Sequence, residues 1–540
     1  MKKYSIIVAS VSVLIIAFAS CKKSYLAEKP YSSYTPLTLN DSLGFEAAAV
    51  GLYNYESTIL TYSGAQGWPS VWQVGTDVAN ATANQQGIEV PYYNYAQLTP
   101  TDGAASYIWG KYYALINNAN IIIKAVEDPS NTKLTAKGKN MIDAEAKFFR
   151  AYAYNSLATL FGKVPLVTSP VTTFKTDFVR APLDQVNNLI ISDLTFASAN
   201  LSDLNAGTSK LNVQGKPVDR ANKYMAMQLL AEAYLRMGKN DLAEQQAQAV
   251  ISSGKFSLIS SRYGVRASGT GDYYSDMFVY GNQRRSQGNS EAIWVIEQEN
   301  PSSVVGGNTD NAQQRRVWGA AYYNISGMVI CDSLGGRSIA RLRLSNWVLY
   351  GLYPAGDLRN SQYSIRRRYY INNPAAANYG KQVSFTGPDT LYKICPSITK
   401  WGAFDPNDTF GYAMIKDFMM MRLGETYLLL AEAQVKQGKT TEAANTINVL
   451  RTRAQAPQVT SGQMTIDFVL DERARELIGE ENRRMTLMRT GTLVDRALRL
   501  NSNDVQHPTA GLAAKNLLLP IPLSEIQLNK DAVLEQNPGY

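Results

Sequence analysis

The feature that most constrains this chain is a pattern written twice. Met419 to Ala454 reads MMMRLGETYLLLAEAQVKQGKTTEAANTINVLRTRA. Met421, Gly424, Leu428, Ala431 and Val435 recur at spacings of three and four, and Ala443, Ile447, Leu450 and Ala454 do the same, so each set falls on one helical face. Gly438 stands between them, where a helix stop favours a residue that tolerates the left-handed conformation. The small residues Gly424, Ala431 and Ala443 let the two predicted helices approach closely. At an offset of 200, Leu229, Leu230, Ala231, Glu232, Ala233, Gly238, Lys239 and Ala243 repeat the residues of the later stretch.

Such an alternation of small and large apolar residues is the tetratricopeptide style of helix pair. One pair cannot bury its own apolar face, so neighbours must pack against it. The predicted class is therefore mostly α, a scaffold of helix pairs of the kind that binds partners. Further helices are expected from about Ser42, over Tyr107–Val126, Lys139–Phe161 and Pro182–Leu201, and over Ala221–Leu235 with Asp241–Ile251. The scaffold is assigned to about 107–258 and 416–497. Residues 60–106 and 259–415 lose the period and read as loops rich in glycine, asparagine and tyrosine, with one strand expected over Ala292–Gln298. Loops this long inside a compact chain are usually functional; 259–415 is read as an insertion mounted on the helices, within one domain spanning 42–540.

The loops carry the candidate binding residues. Trp68, Trp72, Tyr92, Tyr93 and Tyr95 lie among polar residues that include Asp77 and Asn80, and Trp318, Tyr322 and Tyr323 lie in a second polar loop. Flat aromatic faces stack on sugar rings while amides and carboxylates hydrogen-bond hydroxyls. The competing reading makes Trp72 and some of the tyrosines anchors of a long loop. Tyrosine outnumbers phenylalanine 33 to 15, which suits wet, concave surfaces.

Several classes are excluded. The single histidine, His507, removes most Ser–His, Cys–His and multi-histidine metal schemes. Carboxylate-pair glycosidase chemistry survives that test, with Glu476 and Glu480 the conceivable pair. A net charge of +8 over 540 residues is diffuse, and Arg366 to Arg368 is too short a basic run for nucleic acid. Between Val469 and Ala497, Asp471, Glu472, Glu476, Glu480 and Glu481 alternate with Arg473, Arg475, Arg483, Arg484 and Arg489, which reads as ion-paired helix surface and buried carboxylate–guanidinium staples. Cys331 and Cys395 are either paired or two free thiols. No cofactor is implied; the Asp- and Asn-rich loops hold donors of calcium's kind, but no spacing specifies a site.

The beginning of the chain, MKKYSIIVASVSVLIIAFASC, has a basic start, an apolar run too short for an ordinary membrane span and small residues after it. Phe18-Ala19-Ser20-Cys21 resembles a bacterial lipobox. Residues 1–20 are then a signal peptide, Cys21 the lipidated residue, and 21–41 a polar tether punctuated by Pro30 and Pro36.

In this order, behind that lipobox, the segments AEAKFFRAYAYNSLATLFGKVPLV, ANKYMAMQLLAEAYLRMGKNDLAEQQAQAVISSGKFSL, MRLGETYLLLAEAQVKQGKTTEAANTINVLRTRA, ERARELIGEENRRMTLMRTG and PIPLSEIQLN…QNPGY resemble the SusD/RagB-like outer-membrane lipoproteins of Bacteroidetes. The resemblance implies about four tetratricopeptide-like units facing a loop-rich ligand-binding part, no catalysis, an oligosaccharide as cargo and a TonB-dependent SusC-like porin as partner. It also implies a lipid anchor in the outer membrane, facing outward; Lys22-Lys23 stand where exported members often carry acidic residues. A peptide or another nutrient is the alternative cargo. The family supplies no pattern for ligand residues, so the site rests on the aromatic loops.

Overall fold

A computed structural model describes residues 39, 42–62, 66–82, 87–132, 134–204, 210–211, 217–218, 220–300, 312–402, 414–502 and 509–540. Cys21, the signal and almost all of the tether, and His507, lie outside the described residues. The principal helices are α1 (Ser42–Thr61), α2 (Gly103–Glu127), α3 (Ala136–Phe161), α4 (Leu183–Asn200), α5 (Lys223–Arg236) and α6 (Asn240–Ser252). After the insertion come α7 (Leu423–Lys436), α8 (Thr440–Arg453), α9 (Ile466–Leu477), α10 (Arg483–Arg489) and α11 (Leu493–Asn501). No described helix is long and apolar enough to cross a membrane.

Helix starts follow local chemistry. Asp102, Thr135, Asn222, Thr465 and Asn482 each accept a hydrogen bond from a first-turn backbone N–H of α2, α3, α5, α9 and α10, satisfying donors that the helix itself leaves open. Both repeated turns use glycine in the left-handed region, Gly238 at φ 73° and Gly438 at φ 76°.

Each helix packs on the next from α1 to α6, and the series does not stop at the insertion: α6 lies against α7, which packs on α8 and α9. The two copies of the pattern are thus continuous in space although residues 253–422 separate them in the chain. Helix α3 is buried almost all round from Ile142 to Phe161, which is why apolar residues occur on every side of FFRAYAYNSLATLF. Arg150 on α3 donates to both Asp193 carboxylate oxygens on α4, at 2.7 and 2.8 Å, and to Asn120 on α2 at 2.8 Å, pinning three helices at one point.

The strands are few and short. β1 (Ala79–Ala81) pairs antiparallel with β3 (Leu342–Leu344), and β2 (Ala292–Ile296) with β4 (Phe418–Arg422). β4 corrects the sequence reading. Met421 does not share a helical face with Leu428; FMMMR is a strand, and α7 begins at Leu423. A run of four apolar residues has no period to distinguish the two. Gly424 is also not spacing backbones: a side chain there would strike the Arg422 guanidinium and the Glu476 carboxylate.

That pair belongs to a buried ionic network that joins the insertion to the helices. Glu476 accepts from Arg422 at 2.6 Å, from Arg359 at 3.1 Å and from Arg453. Glu291, beside β2, accepts from Arg422 at 3.2 Å and Arg453 at 2.6 Å. Glu472 meets Arg359, Arg451 and Arg475, each at 2.8 Å. The alternating stretch therefore forms buried staples rather than a charged surface. Cys331 and Cys395 are both free thiols; Cys395 is buried beside Tyr369 and Ile394, and burial pushes its thiol up to about 12.

Candidate functional site

A cavity of about 230 Å³ opens between the helical series and the loops. Its walls come from α1 (Glu56, Ile59, Leu60), α2 and α3 (Tyr112, Tyr152, Asn155), α5 (Gln228, Glu232), β4 (Met419 to Arg422) and α10 (Met485, Arg489), closed by Trp68, Trp72, Trp294, Trp318 and Trp401. Trp68 is a fixed inner wall: its Nε1 donates to the Ile59 carbonyl at 3.0 Å, and its ring stacks on Tyr62 at 4.6 Å and meets Trp72 edge-on at 5.2 Å. Trp72 and Trp401 keep part of their surface exposed, with Trp401 held by a 2.7 Å bond to the Gly479 carbonyl.

The polar groups divide into two sets. Arg473, Glu425 and Glu481 form an ion-paired cluster: Arg473 donates to Glu425 at 2.9 Å and to Glu481 at 2.9 Å. Against the desolvation of burial, Arg473 and Arg483 hold the Glu481 carboxyl below the usual carboxylate range. Glu56 is the opposite case. It is 1 % exposed, burial raises its carboxyl to about 8, and among the described residues its one hydrogen bond is from the Tyr152 hydroxyl at 3.1 Å. A buried carboxyl without a cationic partner stays protonated because the charged form loses its hydration.

The structure brings together only part of the residue set expected from sequence. Trp68, Trp72 and Trp318 line the cavity. Seven of the ten, including Trp68 and Trp318, are buried, and several spend their polar atoms inside the protein. Asp77 receives Arg483 at 2.6 Å and Arg496 at 2.8 Å. Asn80 and Asn501 exchange amide hydrogen bonds at 2.7 and 2.6 Å. Tyr92 donates to Asp102 at 2.6 Å and Tyr95 to the Gly75 carbonyl at 2.9 Å. Tyr322 donates to the Cys331 and Gly336 carbonyls at 2.9 and 2.8 Å. These five hold loops in place and present no surface to a ligand in this conformation. Arg484 explains much of it, donating to the carbonyls of Val71, Val74 and Tyr92 and to the Tyr95 hydroxyl at 2.6 to 2.9 Å. Tyr93 and Tyr323 are half-buried and lie away from the cavity lining.

Sequence reasoning missed Trp401, Trp294 and the polar helix residues. A signal existed for the latter: Tyr152, Asn155 and Ser156 interrupt the apolar run of α3, and Gln228 and Glu232 sit four apart on α5, so each set shares a face. Glu476 and Glu480 are neighbours in the ionic network: Glu480 accepts from Arg422 at 2.7 Å and from Lys400 at 2.5 Å. Opposing the desolvation of burial, Arg453, Arg422 and Arg359 hold Glu476 well below the usual carboxylate range, which removes it as a proton donor at neutral pH. No group of His, Cys, Asp and Glu suited to a metal ion occurs among the described residues.

Comparison with known proteins gives a consistent result. A family model described as "SusD family" matches residues 343–540, and one described as "Starch-binding associating with outer membrane" matches residues 25–235. SusD-like protein P25 of Formosa agariphila is 25% identical over 578 residues, covering 98% of each chain. Among solved structures, a laminarin-binding SusD-like protein superposes with a TM-score of 0.67 at 23% identity, covering 93% of this chain and 100% of the other. Surface glycan-binding protein A from Bacteroides thetaiotaomicron does so with a TM-score of 0.70 at 17% identity, covering 93% and 99%. With its two ends matched by these models and its helical series closed over a loop-rich part, the chain belongs to the SusD/RagB-like family.

Proposed function

We propose that this protein captures oligosaccharides at the outer membrane, without turning them over, and passes them to a TonB-dependent SusC-like transporter. The observation that carries the reading is the cavity itself: five tryptophans meet glutamine, asparagine and glutamate side chains along one lining. Stacking faces beside amide and carboxyl groups suit a ring whose faces are apolar and whose rim is hydroxylated. The names of the laminarin-binding and surface glycan-binding neighbours point the same way, as does the outer-membrane description of the family model. Trp72 and Trp401, the partly exposed pair, make the first contact; Trp68 and Trp318 back them. Lipidation at Cys21 holds the protein at the membrane.

Capture without turnover is supported by three carboxylates of the lining, since Glu425, Glu480 and Glu481 are ion-paired; product analysis tests Glu56, the protonated one. The test is calorimetry of the purified chain against plant, algal, fungal and bacterial glycans and a peptide mixture, with product analysis of the cell contents. One glycan class binds and is recovered intact. Trp72→Ala and Trp401→Ala each weaken it about tenfold, equivalent to ~1.4 kcal/mol. Binding of peptides alone would replace the cargo, and shortened glycan would make the protein an enzyme.

A further inference from the structure

Trp401, one of the two partly exposed tryptophans of the cavity, stands at the corner of a tight turn. The Gly402 N–H donates to the Thr399 carbonyl at 2.8 Å, so Lys400 and Trp401 are the two central residues. One side chain holds that turn from inside. The Lys416 ammonium donates to the Lys400 carbonyl at 2.6 Å, to the Gly402 carbonyl at 3.1 Å and to the Phe278 carbonyl. The residues before and after Trp401 are thus held by a single nitrogen, which also ties them to the segment that follows the short helix Tyr273–Asp276. Lys416 is fully buried. The indole itself is fixed from the other side, by the 2.7 Å bond from Nε1 to the Gly479 carbonyl and by Phe418 at 5.6 Å between ring centroids. The ring is anchored on one side and its backbone on the other, so the face that Trp401 shows the cavity depends on both holds.

We propose that Lys416 is the positioning residue for Trp401, and that capture strengthens and weakens with the charge on its side chain. The proposal rests on the capture reading above and adds its regulation. The count of donors carries it. An ammonium has three N–H groups, and here they meet three carbonyl oxygens. A neutral amine has two N–H groups and a lone pair. Deprotonation leaves one buried carbonyl without its donor and sets the lone pair against it, which a buried site does not tolerate without cost. The turn relieves that cost by moving, and Trp401 moves with it.

The surroundings support this cation only weakly. Among the described residues its hydrogen bonds go to carbonyl oxygens alone. Asp417, next to it in the chain, is taken by Arg284 at 2.7 Å, and Asp332 pairs with Arg315 at 3.5 Å. On the other two segments that reach it, Asp276 pairs with Arg262 at 2.5 Å and Lys400 with Glu480 at 2.5 Å. Burial, helped by repulsion from Arg315, outweighs the attraction of Asp417 and Asp332 and brings the amine down to about 7. Such a group is charged below that value and neutral above it. The turn is therefore held in mild acid and released as pH rises.

The test reads Trp401 directly, in the full chain. The fluorescence of the native protein minus that of Trp401→Phe isolates this indole, and it is followed from about pH 5.5 to about pH 8.5, with circular dichroism to check that the protein stays folded. Calorimetry gives the affinity for the captured glycan of the panel at the two ends of the range. The difference signal shifts with a midpoint near 7, and the affinity falls about tenfold from the acid end to the alkaline end. In Lys416→Met the shift is absent and the affinity is at the weaker level throughout. The shift persists in Glu56→Gln, Lys400→Met and His507→Gln, which remove other titrations in or near this window. A flat signal in the native protein, equal affinity at both ends, a shift that survives in Lys416→Met, or one lost in any of the three controls overturns the proposal. If Lys416→Met does not fold, the native profile and the controls decide. If no glycan of the panel binds at any pH, capture fails and its regulation with it, and the difference signal alone decides whether Lys416 positions Trp401.

Discussion

Glu476 has three guanidinium partners and no contact with solvent. Removing one member of a buried ionic cluster leaves the others uncompensated, which costs about 3–5 kcal/mol. Glu476→Gln is therefore expected to lower the stability of the protein by that amount near neutral pH, measured by denaturant titration. The sign with pH follows from its lowered pKa. Its stabilising contribution is complete above the unfolded carboxylate value of ~4.3 and is lost as pH falls through the lower folded value, so the deficit of Glu476→Gln shrinks in acid. Glu56 behaves oppositely. Its folded pKa is raised, so above the unfolded value the native state holds a proton that the unfolded chain has released, and it loses stability as pH rises toward about 8. Glu56→Gln is expected to raise the melting temperature by about 2 °C near pH 7.5 and by little near pH 4.5, in thermal scans at the two values. The alternation of Glu and Arg along the sequence points to buried staples but not to these partners. That alternation announces ion pairs, but burial depends on Glu291 and Arg359, which arrive from the insertion.

At the level of the elements, the repeated turns offer a matched pair. A methyl group added at Gly238 or Gly438 would meet no atom within 4 Å, so each alanine substitution isolates the cost of the left-handed backbone. Gly238→Ala and Gly438→Ala are each expected to destabilise by about 1 kcal/mol, read by equilibrium unfolding. Most of the helices were legible because their apolar residues recur at three and four, and because Gly162, Gly238 and Gly438 stand where α3, α5 and α7 stop. β4 was not, because Met419, Met420 and Met421 fit a strand and a helix equally until β2 pairs with them. The candidate site was legible as residues and not as a place. Trp68, Trp72 and Trp318 stood out, but what turns a tryptophan toward a cavity or a tyrosine into the core is a partner such as Arg484, 413 residues from Val71 in the chain. Composition and spacing carry no information at that range.

At the scale of the whole molecule, capture at a membrane requires that the protein be held there and that its cargo leave intact. Cys21→Ala is expected to move the protein from the membrane fraction to the soluble one, followed by immunoblot of fractionated cells, because one lipid-bearing residue is the proposed anchor. Glycan binding by the purified variant should be unchanged. The fold also sets an order of events. The face of α6 that receives α7 is complete once residue 252 has been made, yet its cover begins at Leu423. Asp77 waits longer still, since Arg483 is 406 residues further on. A growing chain thus carries an apolar helix face through about a third of its synthesis and an unpaired buried-to-be carboxylate through most of it. Contacts so distant close slowly and leave sticky intermediates. The interruption that lets the loops stand over the helices thus makes the final quarter of the chain the latch of the fold.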